Sequence, residues 1–472
     1  MKRNYCTKYL LPVVWWFLSG CAASAQISKS AKAALLNDPA IATGHIGISI
    51  YEPATGKYWY NYNDTKNFIP ASNTKLFTLY AGMKYLGDSL VGLKYAQPAD
   101  TKQLYILPTG DPTFLHPGFP RQPVLDFLLG TQKKLSLYHD NEWKETAWGN
   151  GWSWNDYNEE YMAERSPFPA YGNIVELDTA ALNFKNALTL IRWKSVPDFF
   201  SRKIDSTYII PFSTRINIFS DSALNAERLQ FTVQRTIGGN NFHITPSTSN
   251  FSKMKIAFSS NEYQTTLDLL KHDFNIYIAP PVELDKASYT KKSFAFPFRS
   301  IKSQPTDSLF KPMMHRSDNF FAEQTLLMVS NEKLGYMNDE AIIDTILNTD
   351  LKDIPQKPRW VDGCGLSRYN LFTPRSFVYI LDKMRTEFGM ERLKNILATG
   401  GTGTLSAYYK KDSGYIFAKT GTLSNNCALS GYLVTQKGKL LLFSVLVNNY
   451  QSPATPVRRA VERFLQGIRQ KN

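Results

Sequence analysis

Strand-like runs at both ends of the chain constrain its fold more than any other feature. Residues 46–51 and 57–62 alternate around a Pro53-Ala54-Thr55-Gly56 turn and predict a β-hairpin. Far along the chain, 415–423, 428–435 and 439–447 read as three further strands, with Lys437-Gly438 turning between the last two. Each set adjoins a helical pattern. Leu76, Phe77, Tyr80, Met83 and Leu86 form an amphipathic stripe over 72–86, with Ser72 at its start and Gly87 at its end. Pro456 opens a last helix with Val457, Val461, Phe464, Leu465 and Ile468 on one side. Strands beside helices at both ends predict one antiparallel sheet, flanked by helices, in which N- and C-terminal strands pair. That is an α+β domain.

The region between has a different texture. From about 96 to 261, short β-like runs alternate with Pro, Gly and Asn, aromatic residues crowd 148–171, and helical periodicity is largely missing. It reads as an inserted, mostly β region that the chain leaves and re-enters. With about 150 residues per domain, 472 residues suit about three domains, or two with one large. The expected organisation is therefore 26–95 plus 262–472 as one domain and 96–261 as the insertion.

The first 25 residues read as an export segment. Lys2, Arg3 and Lys8 precede an apolar stretch, 10–18, that is too short to span a bilayer, since spanning takes about 20 residues. Two cleavage readings stand. Leu18-Ser19-Gly20-Cys21 fits a lipobox with Cys21 acylated, and Ala23-Ser24-Ala25 before Gln26 fits ordinary signal peptidase. Either places the protein in the periplasm or cell envelope, with membrane contact only through a lipid anchor at Cys21. Removing this segment leaves two cysteines, Cys364 and Cys427, with no C-x-x-C, and the six histidines show no ligand spacing. No metal and no cofactor are predicted. The formal net charge of +14 suits an anionic neighbour such as a wall polymer, a membrane surface or nucleic acid, and does not choose among them. G-x-S-x-G and P-loop motifs are absent.

Three short motifs carry chemistry. Ser72-Asn73-Thr74-Lys75 is an S-x-x-K, which on a helix sets serine and lysine on one face, a turn apart. Alone it means little, because S-x-x-K also starts at Ser252, Ser288, Ser308 and Ser330, and Ser72 also reads as a plain helix cap. Ser317-Asp318-Asn319 opens a helical segment over 319–328, and Lys419-Thr420-Gly421 is the chain's one K-[ST]-G, on a predicted strand. Serine and asparagine can hold a peptide and carry protons. Lys419 adds charge for a carboxylate, and Gly421 lets a substrate backbone lie against the strand edge.

S-x-x-K, S-D-N and K-T-G in that order resemble the signature of penicillin-binding proteins and serine β-lactamases. More narrowly, the chain resembles the D-alanyl-D-alanine carboxypeptidase/endopeptidase family of class C low-molecular-mass penicillin-binding proteins, peptidase family S13. The long gap between Ser72 and Ser317 fits, as do Gly110-Asp111-Pro112-Thr113, Trp152-Ser153-Trp154-Asn155-Asp156 and Asp362-Gly363-Cys364-Gly365-Leu366-Ser367-Arg368. The likeness runs from about residue 40 to the end and is loose between about 180 and 300.

The resemblance implies a serine β-lactamase/DD-peptidase-like domain with a large insertion. It implies an enzyme acting on peptidoglycan stem peptides and acylated by β-lactam antibiotics as covalent inhibitors, with no nucleic-acid partner. Ser72 would be the nucleophile, Lys75 its proton acceptor, Ser317 and Asn319 cleft residues, and Lys419 and Thr420 the carboxylate site. The backbone N–H groups of Ser72 and Thr422 would form the oxyanion hole. Asp156 reads either as a ligand for the amine of a diamino acid or as a solvent-facing aspartate, and Arg368 as a carboxylate ligand or a brace for its loop. Cys364 stands where the family has serine, and Cys364 and Cys427 read as two buried thiols or as a disulfide. Rival readings are a β-lactamase or esterase of the same fold, and a non-catalytic wall-binding lipoprotein.

Overall fold

The structure is a computed structural model that describes residues 26–98, 102–138, 143–182, 190–197, 199, 204–205, 230–250, 253–280 and 297–472. The export segment, including Cys21, lies outside them. The chain divides into two compact units. The first gathers Met1–Tyr85, Asp307–Ala322 and Asp339–Asn472, the second Leu86–Thr306 and Glu323–Asn338.

The first unit is built on a six-stranded antiparallel sheet. Its strands are β1 (His45–Glu52), β2 (Lys57–Tyr62), β3 (Ala398–Thr399), β4 (Ile416–Leu423), β5 (Asn426–Val434) and β6 (Leu440–Asn448), in the order β3-β4-β5-β6-β1-β2. The terminal strands pair as their alternation predicts, His45 opposite Asn448 and Tyr51 opposite Leu442. One face packs apolar residues, among them Ile48, Ala418, Leu429 and Val445, against the C-terminal helix. That helix, Ala454–Lys471, buries the expected stripe of Val457, Val461, Phe464, Leu465 and Ile468.

The opposite face carries a polar row in register. Lys419 lies opposite Ser430, Ser430 opposite Ser444, and Ser444 opposite Ser49. All four are fully buried. Ser430 Oγ and Ser444 Oγ lie 2.8 Å apart, and the Asn61 amide nitrogen donates to Ser49 Oγ at 2.9 Å, so these buried hydroxyls have partners.

Two expectations need correction here. The helix after Ser72 begins one turn later, at α1 (Lys75–Tyr85), behind a 3-10 turn over Ala71–Thr74. It is not amphipathic, because every residue from Lys75 to Met83 is buried; a helix enclosed on all sides needs no polar stripe. Nor is Ser72 a cap. Pro70 holds that position, and no side chain there makes a capping bond.

The second unit has its own sheet, ordered Ile278–Ala279, Lys134–Leu137, Gln103–Pro108, Ser89–Ala96 and Arg299–Pro305. The edges of this unit differ from the 96–261 expected from texture. Ser89–Ala96 and Arg299–Pro305 pair with each other across the insertion, and the helix Gln264–Phe274 sends Leu267, Leu269 and Leu270 into the same core. A helix at Pro123–Gly130 also lies in a stretch that shows no clear helical period. It is short and starts on a proline.

Candidate active site

The first unit brings the three motifs together. The Ala71–Thr74 turn presents Ser72 at the mouth of α1, and Lys75, the first residue of that helix, is fully buried beside it. Lys75 Nζ donates to Ser72 Oγ at 3.0 Å, to Asn319 Oδ1 at 2.6 Å and to the Cys364 carbonyl at 2.7 Å. Three N–H bonds thus meet three oxygens. A neutral amine in the same place keeps two of those donors and turns a lone pair toward one partner.

Asn319 is the first residue of helix α2 (Asn319–Leu334). The aspartate of S-D-N explains why the helix starts there, since Asp318 Oδ1 accepts the Phe321 N–H at 3.0 Å as a helix cap does. Ser317, just outside, holds φ at 61°, a left-handed conformation that is uncommon for serine. That turn aims its hydroxyl at Lys419, whose Nζ donates to Ser317 Oγ at 2.8 Å and to the Thr420 carbonyl at 2.7 Å.

Lys419 sits on β4 with none of its surface exposed, and both of these partners are neutral oxygens. Burial pushes its pKa well below the ordinary lysine value, and the nearby Lys75 charge lowers it further. Alternation along β4 then separates the motif. Lys419 and Gly421 face the turn that carries Ser72, while Thr420 and Thr422 face the side of the C-terminal helix. Thr420 Oγ1 donates to Thr404 Oγ1 at 2.8 Å, and Thr422 Oγ1 accepts from Arg458 Nη2 at 2.7 Å. β3 pairs with β4 only at Phe417 and Ala418, so no strand among the described residues covers the outer edge of 419–423.

Gly421 has a role that sequence reasoning did not give it. A Cβ there would lie 2.5 Å from the Pro70 carbonyl and 3.1 Å from the Asn73 nitrogen. The space is filled by the turn that carries Ser72, so the glycine lets turn and strand touch. Asn73 completes that contact, with its amide nitrogen 2.7 Å from the Lys419 carbonyl and its oxygen 2.8 Å from Ser430 Oγ.

The loop after Val361 forms the other wall. Buried Asp362 accepts from the backbone N–H groups of Gly365 (2.8 Å) and Ser367 (2.7 Å) and from Asn370 Nδ2 (2.7 Å). This fold of the loop points the Cys364 carbonyl at Lys75. Gly365, at φ +87°, passes so near Ala71 that a Cβ would fall 2.0 Å from its carbonyl oxygen. Cys364 and Cys427 are buried free thiols, and burial raises the Cys427 pKa to about 11. Asp362 and Thr404 received no role from sequence; the run Asp362-Gly363-Cys364-Gly365 was the only sign of a tight turn there.

The two outlying candidates have partners of their own. Exposed Arg368 places both terminal nitrogens 3.4 Å from the Ser424 carbonyl, bracing the β4–β5 turn. Asp156 belongs to the second unit, in a 3-10 turn over Trp154–Asp156, where its carboxylate receives the Tyr161 hydroxyl.

A serine and two buried lysines, on a helix and a strand of an α+β sheet domain, define a serine acyl-transfer enzyme of the penicillin-binding class. The D-Ala-D-Ala carboxypeptidase 3 (S13) family profile matches residues 28–467, and the chain belongs to that family. It is 23% identical to a D-alanyl-D-alanine carboxypeptidase of Actinomadura sp. (strain R39), over 89% of this chain and 81% of the relative. It is 24% identical to the D-alanyl-D-alanine carboxypeptidase DacB of Haemophilus influenzae, over 83% of each. The fold matches the crystal structure of penicillin binding protein 4 (dacB) from Haemophilus influenzae with a TM-score of 0.68 at 20% identity, over 94% of this chain and 98% of that one.

Proposed function

We propose that the first unit is the catalytic domain of a serine D-alanyl-D-alanine peptidase acting on peptidoglycan stem peptides, with Ser72 as nucleophile. The observation that carries this reading is the pair of contacts Lys75 Nζ–Ser72 Oγ and Lys419 Nζ–Ser317 Oγ, both within the first unit. Neutral Lys75 takes the Ser72 proton as Oγ attacks the carbonyl carbon of the D-Ala–D-Ala bond. The backbone N–H groups of Ser72 and Thr422 hold the developing oxyanion. As the C–N bond breaks, the leaving amine collects a proton through Lys75 and Ser317. Water then cleaves the acyl-serine ester and returns Oγ–H. A substrate backbone added along the uncovered edge of β4 would be held as an extra strand.

A β-lactam would acylate Ser72 by the same steps. Its opened ring stays attached, so water has less room, and none of the three motifs supplies a glutamate to activate that water. Penicillin should therefore inhibit rather than turn over. We further propose that the chain is exported and loses its N-terminal segment, either residues 1–20 with acylation of Cys21 or residues 1–25 by cleavage after Ala25. Mass analysis of the mature N-terminus separates these two, and an uncleaved chain refutes both.

Steady-state assays test the function. Purified enzyme should release D-alanine from a D-Ala-D-Ala-terminated pentapeptide far faster than it hydrolyses penicillin, and Ser72→Ala should release none. Penicillin hydrolysed as fast as the peptide would move the assignment to a β-lactamase of the same fold.

A further inference from the structure

The face of the first unit's sheet that turns away from Lys419 is covered by a basic layer. Three stretches of chain form it: 26–38, 408–415 and 454–472, the last being the C-terminal helix and Asn472. Residues 26–36 are helical, and Ile27, Ala31 and Leu35 are buried in one apolar cluster with Val457, Val461 and Phe464 of the C-terminal helix. The two helices touch closely, since a Cβ at Gly467 would lie 3.2 Å from Ser30 Oγ. The 408–415 stretch is tied on by the Tyr409 N–H, which donates to Glu462, and by the pairing of Asp412 with Arg469.

These 40 residues hold nine lysines and arginines against three acids, a net +6 of the chain's +14. Fewer than a tenth of the residues thus carry nearly half of the surplus charge. Arginines take all three acids: Arg463 pairs with Asp38, Arg459 with Glu462 and Arg469 with Asp412. Lys29, Lys32, Lys410, Lys411 and Lys471 are exposed, and no carboxylate among the described residues lies within 4 Å of them. Ammonium groups on long stems with no counter-ion suit phosphate headgroups, whose attraction falls off within a Debye length.

The N-terminal connection favours a membrane over other anionic partners. Ile27 is 1% exposed, so the packed chain begins only six residues after Cys21. Six extended residues reach at most about 20 Å. An acyl chain on Cys21 would hold this layer against the bilayer, with the Lys419 face of the sheet turned away from it. Without the acyl chain, charge alone supplies the attraction.

We infer that this layer is a docking surface for an anionic phospholipid membrane, bound through its five unpaired lysines. The inference takes nothing from the peptidase reading, and from the export reading only the place of Cys21. Docking this way leaves the face that carries Ser72 and Lys419 open to the aqueous side.

The test is vesicle sedimentation of the mature chain that begins at Gln26, which carries no acyl group and reports on charge alone. Phosphatidylcholine vesicles that contain phosphatidylglycerol should carry the protein down at low salt, and vesicles of phosphatidylcholine alone should not. Lys29→Gln with Lys32→Gln should weaken that partition by about 10- to 30-fold, because each lysine at such a surface contributes about fivefold. Lys410→Gln with Lys411→Gln should weaken it as much. Lys352→Gln with Lys357→Gln, outside the three stretches, should change it less than about twofold, since screening removes distant charges. Equal losses from all three pairs would reduce the effect to net charge and overturn the inference, as would no sedimentation with the anionic vesicles. Sedimentation with peptidoglycan sacculi but not with vesicles would give this layer to the wall polymer and overturn it too.

Discussion

Two fully buried cations, Arg235 in the second unit and Lys419 in the first, are held in opposite ways. In the second unit, Arg235 is 1% exposed and its Nη2 lies 3.1 Å from Glu164 Oε1, while Gly239 and Tyr157 carbonyls accept from the same guanidinium. Glu164 also receives the Ser260 N–H at 2.8 Å. Arg165, equally buried, meets Glu145 at 2.8 Å. In the first unit, Lys419 is buried as completely and faces a serine hydroxyl and a carbonyl. A buried charge with its counter-ion holds a structure together. A buried ammonium given only neutral oxygens is a cost to the fold, and such a group is kept where it has chemistry to do.

Removing one partner from each arrangement should therefore have opposite results. The largest effect belongs to Arg235→Met, which strands Glu164 in the core and should cost about 3–5 kcal/mol of stability, read by urea denaturation. Lys419→Met should do the reverse. It should lower kcat/KM for the D-Ala-D-Ala peptide by about 100- to 1,000-fold while leaving the urea midpoint level or higher. If Lys419→Met unfolds the protein and Arg235→Met does not, the contrast fails.

Asp362 sharpens the point, because it is an anion of the first unit whose work is structural. Asp362→Asn replaces one accepting oxygen with a donor among backbone N–H groups, at about 1–3 kcal/mol. Stability and kcat should fall together, since the same loop aims the Cys364 carbonyl at Lys75. A loss of kcat with stability unchanged would give Asp362 a direct part in the reaction.

The smallest effect is a pH dependence. The folded pKa of Lys419 lies below its unfolded value, so between the two the unfolded chain binds the extra proton. The burial penalty is then complete at pH values below the folded pKa and is relieved as pH rises toward the unfolded pKa. Lys419→Met should be more stable than wild type at pH 6, and the gap should narrow by pH 9. A gap independent of pH would mean that Lys419 keeps its proton in the fold.

Much of this was legible in the residues. Period-two alternation located β1 and β2, and strand-like runs bounded by turn residues located β4, β5 and β6, all to within a few positions. The order of S-x-x-K, S-D-N and K-T-G brought Ser72, Lys75, Ser317, Asn319 and Lys419 forward before any contact was seen. What escaped was whatever depends on a distant partner. Ser89–Ala96 and Arg299–Pro305 pair over about two hundred residues, so texture placed the boundary of the second unit too far inward. Thr404 and Arg458 meet β4 from a 3-10 turn and a helix that share no local pattern with it. The buried α1 looked amphipathic because tyrosine and threonine interrupt its apolar run. Gly421 looked like room for a substrate, whereas the fold uses that room for its own turn.

The central claim, that Ser72 is the residue acylated, is most directly tested by the intact mass and peptide map of the enzyme after incubation with benzylpenicillin. The account predicts one penicilloyl group per chain, on the peptide that contains Ser72, and none in a Ser72→Ala variant that stays folded. An adduct on Ser252, Ser288, Ser308 or Ser330, or no adduct on folded wild type, would contradict it.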